Sequence, residues 1–149
     1  MNDMTRRNLL QALPALALLG STLAKGQTPA AESSPLAHSR VFNFDQLPVS
    51  HNKSGATSHH IVQGTLPIGE YVELHETTLL PGQMPHPAHR RRHEEFMLIR
   101  EGSIEFTANG KPAMVEPGGV AYAASGELHG LKNTGSVPAR YFVIAINKG

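Results

Sequence analysis

The chain contains no cysteine, which excludes thiol nucleophiles, zinc–thiolate sites and disulfide staples. Aromatic residues are only 5% of it, and from Val41 onward no stretch repeats apolar residues at helical spacing over a convincing length. Charge of one sign is also scarce. Thirteen Lys and Arg stand against 12 Asp and Glu, a formal charge of +1. Removal of residues 1–24 would take away Arg6, Arg7 and Asp3 and leave about zero. A neutral domain offers no surface to track phosphates, so no nucleic-acid partner is expected. What the sequence does hold is 14 glycines, 11 prolines and nine histidines, the punctuation of short strands and a supply of imidazoles.

With 149 residues there is room for one domain once the N-terminus is set aside. Residues 1–24 have the layout of a secretory signal: Arg6-Arg7, an apolar run of about 15 residues, then Thr22-Leu23-Ala24. The run falls short of the ~20 residues a membrane span needs, so no permanent span is expected. Arg6-Arg7, preceded by Thr5 and followed by Asn8-Leu9-Leu10, resembles a bacterial twin-arginine signal. The alternative is an ordinary basic start to a general secretory signal. Either implies a periplasmic or secreted protein. Residues 25–38 have the composition of a flexible linker, and residues 39–149 form the domain.

That domain reads as all-β. Short apolar runs at Val41–Phe44, His60–Thr65, Tyr71–Leu80, Glu95–Glu101, Ser103–Ala108, Ala113–Glu116, Val120–Ala123, Gly130–Asn133 and Ala139–Asn147 are separated by turn signals. Asn109-Gly110 predicts a two-residue hairpin, because both positions tolerate positive φ. Gly82, Gly102 and Gly126 stand at other predicted turns. So many short strands at this spacing give a sandwich or barrel. The last run, Tyr141 to Ile146, is apolar on both faces, so it is either covered within the monomer or paired across a homodimer.

Three histidines fall within His86–His93, in Gly82-Gln83-Met84-Pro85-His86-Pro87-Ala88-His89-Arg90-Arg91-Arg92-His93-Glu94-Glu95. Some 35 residues on comes Gly126-Glu127-Leu128-His129-Gly130-Leu131-Lys132-Asn133. Imidazole nitrogen and carboxylate oxygen suit divalent first-row metals, and two histidines with one carboxylate leave positions open. His89 and Glu95 are an even number of residues apart, so an extended chain would point both to one face, whereas a turn between them would not. His129 can join them only through a closed or folded-over sheet. His86, between two prolines, reads as loop-bound, with a ligand role as the alternative, and Glu94 has the outward parity. Arg90 and Arg92 read as a solvated face. Glu73, His75 and Thr77 alternate along one face of their strand, as polar substrate contacts or as exposed sheet surface. Met97 and Ile99 share the parity of Glu95 and would wall a pocket. His51, His59 and His60 have no assigned role.

These two segments resemble the paired motifs of the cupin superfamily. Glu95 and Gly102 keep the first motif's final spacing, and Gly118, Gly126, His129 and Asn133 fit the second, with Ala124 where proline is usual. The resemblance covers nearly the whole domain. It implies a single jelly-roll barrel, the double-stranded β-helix, with one divalent transition metal (Fe, Mn, Ni, Cu or Zn) and dioxygenase- or isomerase-like chemistry on a small-molecule ligand.

It puts the motif's first histidine at His89 and its second at Arg91. A guanidinium has no lone pair to give and repels a cation, so it cannot stand in for that ligand. Three readings follow. His93 supplies the missing nitrogen; or His89, Glu95 and His129 suffice; or metal binding is lost. In the last two Arg91 would clamp an anionic group of the substrate, with His75 and Glu73 as further contacts. The alternative function is a non-catalytic, metal-free module that binds a carboxylate or a sugar.

Overall fold

Asn109 and Gly110 take φ of +48° and +79°, and the strands on either side pair with Ala108 opposite Lys111. This is the hairpin that the dipeptide predicts. The computed structural model describes residues 34–148, so the signal and most of the linker read from the sequence lie outside the described residues. Nine strands are present among them: β1 (Val49–His51), β2 (Thr57–Thr65), β3 (Tyr71–Leu79), β4 (Glu94–Glu101), β5 (Ile104–Ala108), β6 (Lys111–Val115), β7 (Val120–Ala123), β8 (His129–Lys132) and β9 (Ala139–Asn147). They form two antiparallel sheets, one ordered β1-β2-β3-β9-β4-β7 and one ordered β6-β5-β8.

Strand alternation decides what lies between the sheets. In β4, Met97 and Ile99 are buried while Leu98 and Arg100 face out. Tyr141 and Val143 of β9 and Ala121 and Ala123 of β7 share that inner face, and Ile104, Phe106 and Leu131 approach it from the smaller sheet. Each large apolar side chain so buried contributes roughly 1.5–3 kcal/mol. The last strand is thus covered inside the monomer on its inner face.

Two expectations fail locally. Val41–Phe44 is not a strand: Phe44–Gln46 forms a 3₁₀ turn, and the first strand begins at Val49. Phe44 instead lays its ring on His59, with centroids 4.3 Å apart. Strand β2 begins at Thr57 rather than His60, because Thr57, Ser58 and His59 pair with β3, opposite Thr78, Thr77 and Glu76. A polar start hid that pairing from a search for apolar runs.

Two features position the loop that leads to the histidines. Asn133, fully buried, donates from Nδ2 to the carbonyls of Leu79 and Val137, and accepts from the Gly135 N–H. Its backbone also exchanges hydrogen bonds with Gly82 and Gln83. Gly130 admits the same loop closely: a Cβ there would stand 3.2 Å from Ala88 Cβ, so only glycine fits without displacing it.

Candidate metal centre

His89 and His129 come together through main-chain pairing, not strand parity. Each N–H donates to the other's carbonyl, at 2.9 and 3.0 Å. Bends at Arg92 and His93 break the extended chain before β4, so the even spacing of His89 and Glu95 is not what unites them. Glu95 lies on the inner face of β4, opposite Ala145 of β9 and Ala123 of β7. Closure of the barrel then brings ligand atoms of His89, Glu95 and His129 within 4.8 Å of one another.

The hydrogen bonds around these side chains prepare them as ligands. His89 Nδ1 lies 3.2 Å from the Pro87 carbonyl and His129 Nδ1 lies 3.1 Å from the Glu127 carbonyl. A carbonyl only accepts, so each Nδ1 carries a proton. His89 Nε2 keeps its lone pair, whereas His129 Nε2 faces a Glu95 carboxylate oxygen, which only accepts. His89 Nε2 is buried with no hydrogen-bond partner. That orphaned nitrogen fits a metal, since a buried polar atom left unpaired is costly. Burial pushes the His89 pKa down, against the Pro87 hydrogen bond and with help from the nearby charges of His86, Arg91 and His129. The ring is therefore neutral near pH 7, the form that binds.

Glu95 is held at both oxygens. Oε2 lies 3.2 Å from His129 Nε2, and Oε1 lies 2.7 Å from His93 Nε2. Burial works to raise its pKa, but the hydrogen bonds and charges of His93 and His129 outweigh it and hold the carboxyl below its ordinary value. Two imidazoles and an ionised carboxylate are a donor set for a divalent first-row ion, with the proton between His129 Nε2 and Glu95 given up as the ion binds. His93 stands beside Glu95 and outside the three-residue group.

A cavity of about 290 Å³ opens beside this group. Its lining includes Arg91, His86 and His93 together with Glu73, His75, Thr77 and Tyr141. Glu73 and Glu95 share one row of the sheet, each opposite Ala145, so their backbones lie roughly 9–10 Å apart, two strand spacings. His75 Nδ1 lies 3.4 Å from Glu73 Oε1, a charge contact without hydrogen-bond geometry. Burial lowers the His75 pKa, opposed by Glu73 and Glu95 and assisted by His60.

Above them Ser58 Oγ and Thr77 Oγ1 lie 3.1 Å apart, and Thr77 in turn bonds Tyr141. Burial drives the Tyr141 phenol above its ordinary range, so it stays a hydroxyl. The sequence reading missed Ser58 and Tyr141. The parity of Tyr141 with Val143 and Ala145 on the inner face of β9 was the available signal.

Residues 75–145 match the family described as Cupin domain. The domain has the cupin fold. Among solved structures, a predicted oxalate decarboxylase from Thermotoga maritima superposes with a TM-score of 0.62 at 20% identity, covering 72% of this chain and 99% of that one. An RmlC-like cupin from Shewanella frigidimarina gives 0.61 at 15%, covering 73% and 92%. A cupin described as a sugar phosphate isomerase from Silicibacter pomeroyi gives 0.59 at 17%, covering 74% and 76%. At such identities the likeness is one of fold. No curated protein sequence matches the chain. Among the described residues, no helix is long and apolar enough to cross a membrane.

Proposed function

We propose that this cupin is an exported protein that holds one divalent transition metal through His89, Glu95 and His129. It acts on a small anionic molecule in the barrel. The observation that carries the metal reading is the buried, unpaired Nε2 of His89, set beside a carboxylate and the imidazole of His129. A bound ion would supply Lewis-acid polarisation of a ligand oxygen. His93 would keep Glu95 oriented, as hydrogen bonds to ligating carboxylates do.

The cavity is at the small end of ligand sites, which run roughly 300–1,000 Å³, and suits a molecule of a few carbons. Arg91 lines it and makes no salt bridge among the described residues, so its guanidinium is free to take a carboxylate. His75 of the same lining, neutral near pH 7, can accept a proton, and Glu73 would stabilise the charge it gains. Thr77 and Tyr141 add hydroxyls. A proton acceptor in the same cavity as the metal group favours isomerase-like proton transfer over dioxygenase-like chemistry. The free Arg91 also supports the second reading, a metal-free module that binds a carboxylate.

Metal analysis of protein purified from its natural host separates the two. One ion per chain, lost in His129→Ala, supports the metal reading. A metal-free preparation that binds small carboxylates supports the second. Export rests on Arg6-Arg7 and the apolar run that follows. The twin-arginine route carries folded proteins, which would let the metal enter before export. Replacing Arg6-Arg7 with Lys-Lys is expected to leave the protein in the cytoplasm; unchanged export would count against that route.

A further inference from the structure

Arg91 leaves the centre one nitrogen short of the ligand set the resemblance implies, and a different histidine stands close by. The His86 ring lies 3.9 Å, centroid to centroid, from that of His89, edge to face at 73°. It also lines the cavity. Its Nδ1 lies 3.1 Å from the Pro87 carbonyl, the same oxygen that takes the His89 Nδ1–H. One carbonyl therefore sets the tautomer of both rings and leaves both Nε2 lone pairs free. His93 differs, because its Nε2 is already engaged by Glu95 at 2.7 Å.

The backbone that carries His86 is held on every side. Pro85 and Pro87 restrict its conformation from both ends. The Pro85 carbonyl accepts from Asn52 Nδ2 at 2.7 Å and from Ser54 Oγ at 3.3 Å. Gln83 is tied to the backbone of Asn133, and His89 to that of His129. Such a loop fixes the backbone position of His86, so that only its side-chain torsions remain to be ordered on binding.

We propose that His86 is a further metal ligand, giving its Nε2 in place of the histidine that Arg91 replaces. This rests on the His89–Glu95–His129 reading. It requires the His86 ring to turn on its side-chain bonds, because its nitrogens lie outside the three-residue group as it stands. The consequence is a centre of three imidazoles and one carboxylate in which the Pro85–Pro87 loop is pinned by the ion.

Copper(II) is the probe, with coordinated imidazoles counted by pulsed EPR and affinity measured by chelator competition. The wild type is expected to show three imidazoles. His86→Ala should show two and bind more weakly, by at least the roughly 10–100-fold that losing an outer partner costs. His93→Gln should keep three. Circular dichroism confirms that each variant is folded. Two imidazoles in the wild type, unchanged in His86→Ala, would overturn the role of His86 and leave the three-residue centre standing. Three imidazoles retained in His86→Ala but lost to two in His93→Gln would overturn it in favour of His93. Copper binding that ignores His129→Ala would overturn the underlying reading itself.

Discussion

His89 and His129 are mirror partners. Each donates its main-chain N–H to the other's carbonyl, and each turns its Nδ1 to a carbonyl two residues earlier in the chain, Pro87 or Glu127. Backbone pairing sets how far apart the rings stand, and the side-chain hydrogen bonds set which nitrogen each offers. The centroids lie 4.8 Å apart. Such a pair can take a metal without a change of spacing, once His129 Nε2 releases the proton it holds toward Glu95.

His93 is expected to orient Glu95 without ligating. In His93→Gln the 2.7 Å contact from Nε2 to Oε1 is weakened or lost, while the three-residue group stays complete. Metal affinity should fall roughly 10–100-fold with one ion still bound per chain. Isothermal titration with zinc or manganese checks this. A fall in stoichiometry to zero would make His93 indispensable and contradict an orienting role.

Arg91 should affect metal and ligand in opposite directions. Arg91→Gln removes a cation from the cavity wall, so metal binding tightens. A small carboxylate such as oxalate or lactate loses its partner and binds more weakly by about 1.5–3 kcal/mol, the worth of a hydrogen bond to a charged group. Paired titrations of the variant with metal and with carboxylate decide it. Both affinities moving the same way would remove Arg91 from the anion site.

Much of the barrel was legible before any coordinates. Asn109-Gly110 requires its hairpin, the alternation Glu95, Met97, Ile99 names the inner face of β4, and the spacing from His89 to His129 leads to the metal group. The parts that were not legible depend on contacts made after the chain folds. Nothing in the run Val41–Phe44 reveals that Phe44 will stack on His59 instead of entering a strand. Parity appeared to join His89 to Glu95, yet the bends at Arg92 and His93 break it and barrel closure does the joining. His86 reads first as a loop residue because prolines flank it; the fold sets its ring against that of His89. The role of Arg91 could be posed from chemistry alone, but whether its guanidinium faces the cavity needed the fold.

Acid should destabilise the metal-free protein partly through His75. Its native pKa lies below the ordinary 6.5 because burial disfavours the charged ring, against Glu73 and Glu95 and together with His60. The unfolded chain therefore takes up the proton first as pH falls, and stability drops from about pH 6.5 until the native pKa is passed. His75→Gln should flatten that part of the curve, while Glu73, His60 and Glu95 remain in both proteins. Urea midpoints measured between about pH 7 and pH 5 give the slopes. A variant as steep as the wild type would mean that burial of His75 does not contribute to the acid response.

Anomalous diffraction from crystals soaked in a zinc or manganese salt addresses the centre most directly. A single strong peak is expected between His89, Glu95 and His129, within about 2.0–2.2 Å of both Nε2 atoms and a Glu95 oxygen. No peak there at saturating metal, or one only at outlying histidines such as His51 or His60, would contradict a metal centre in this barrel.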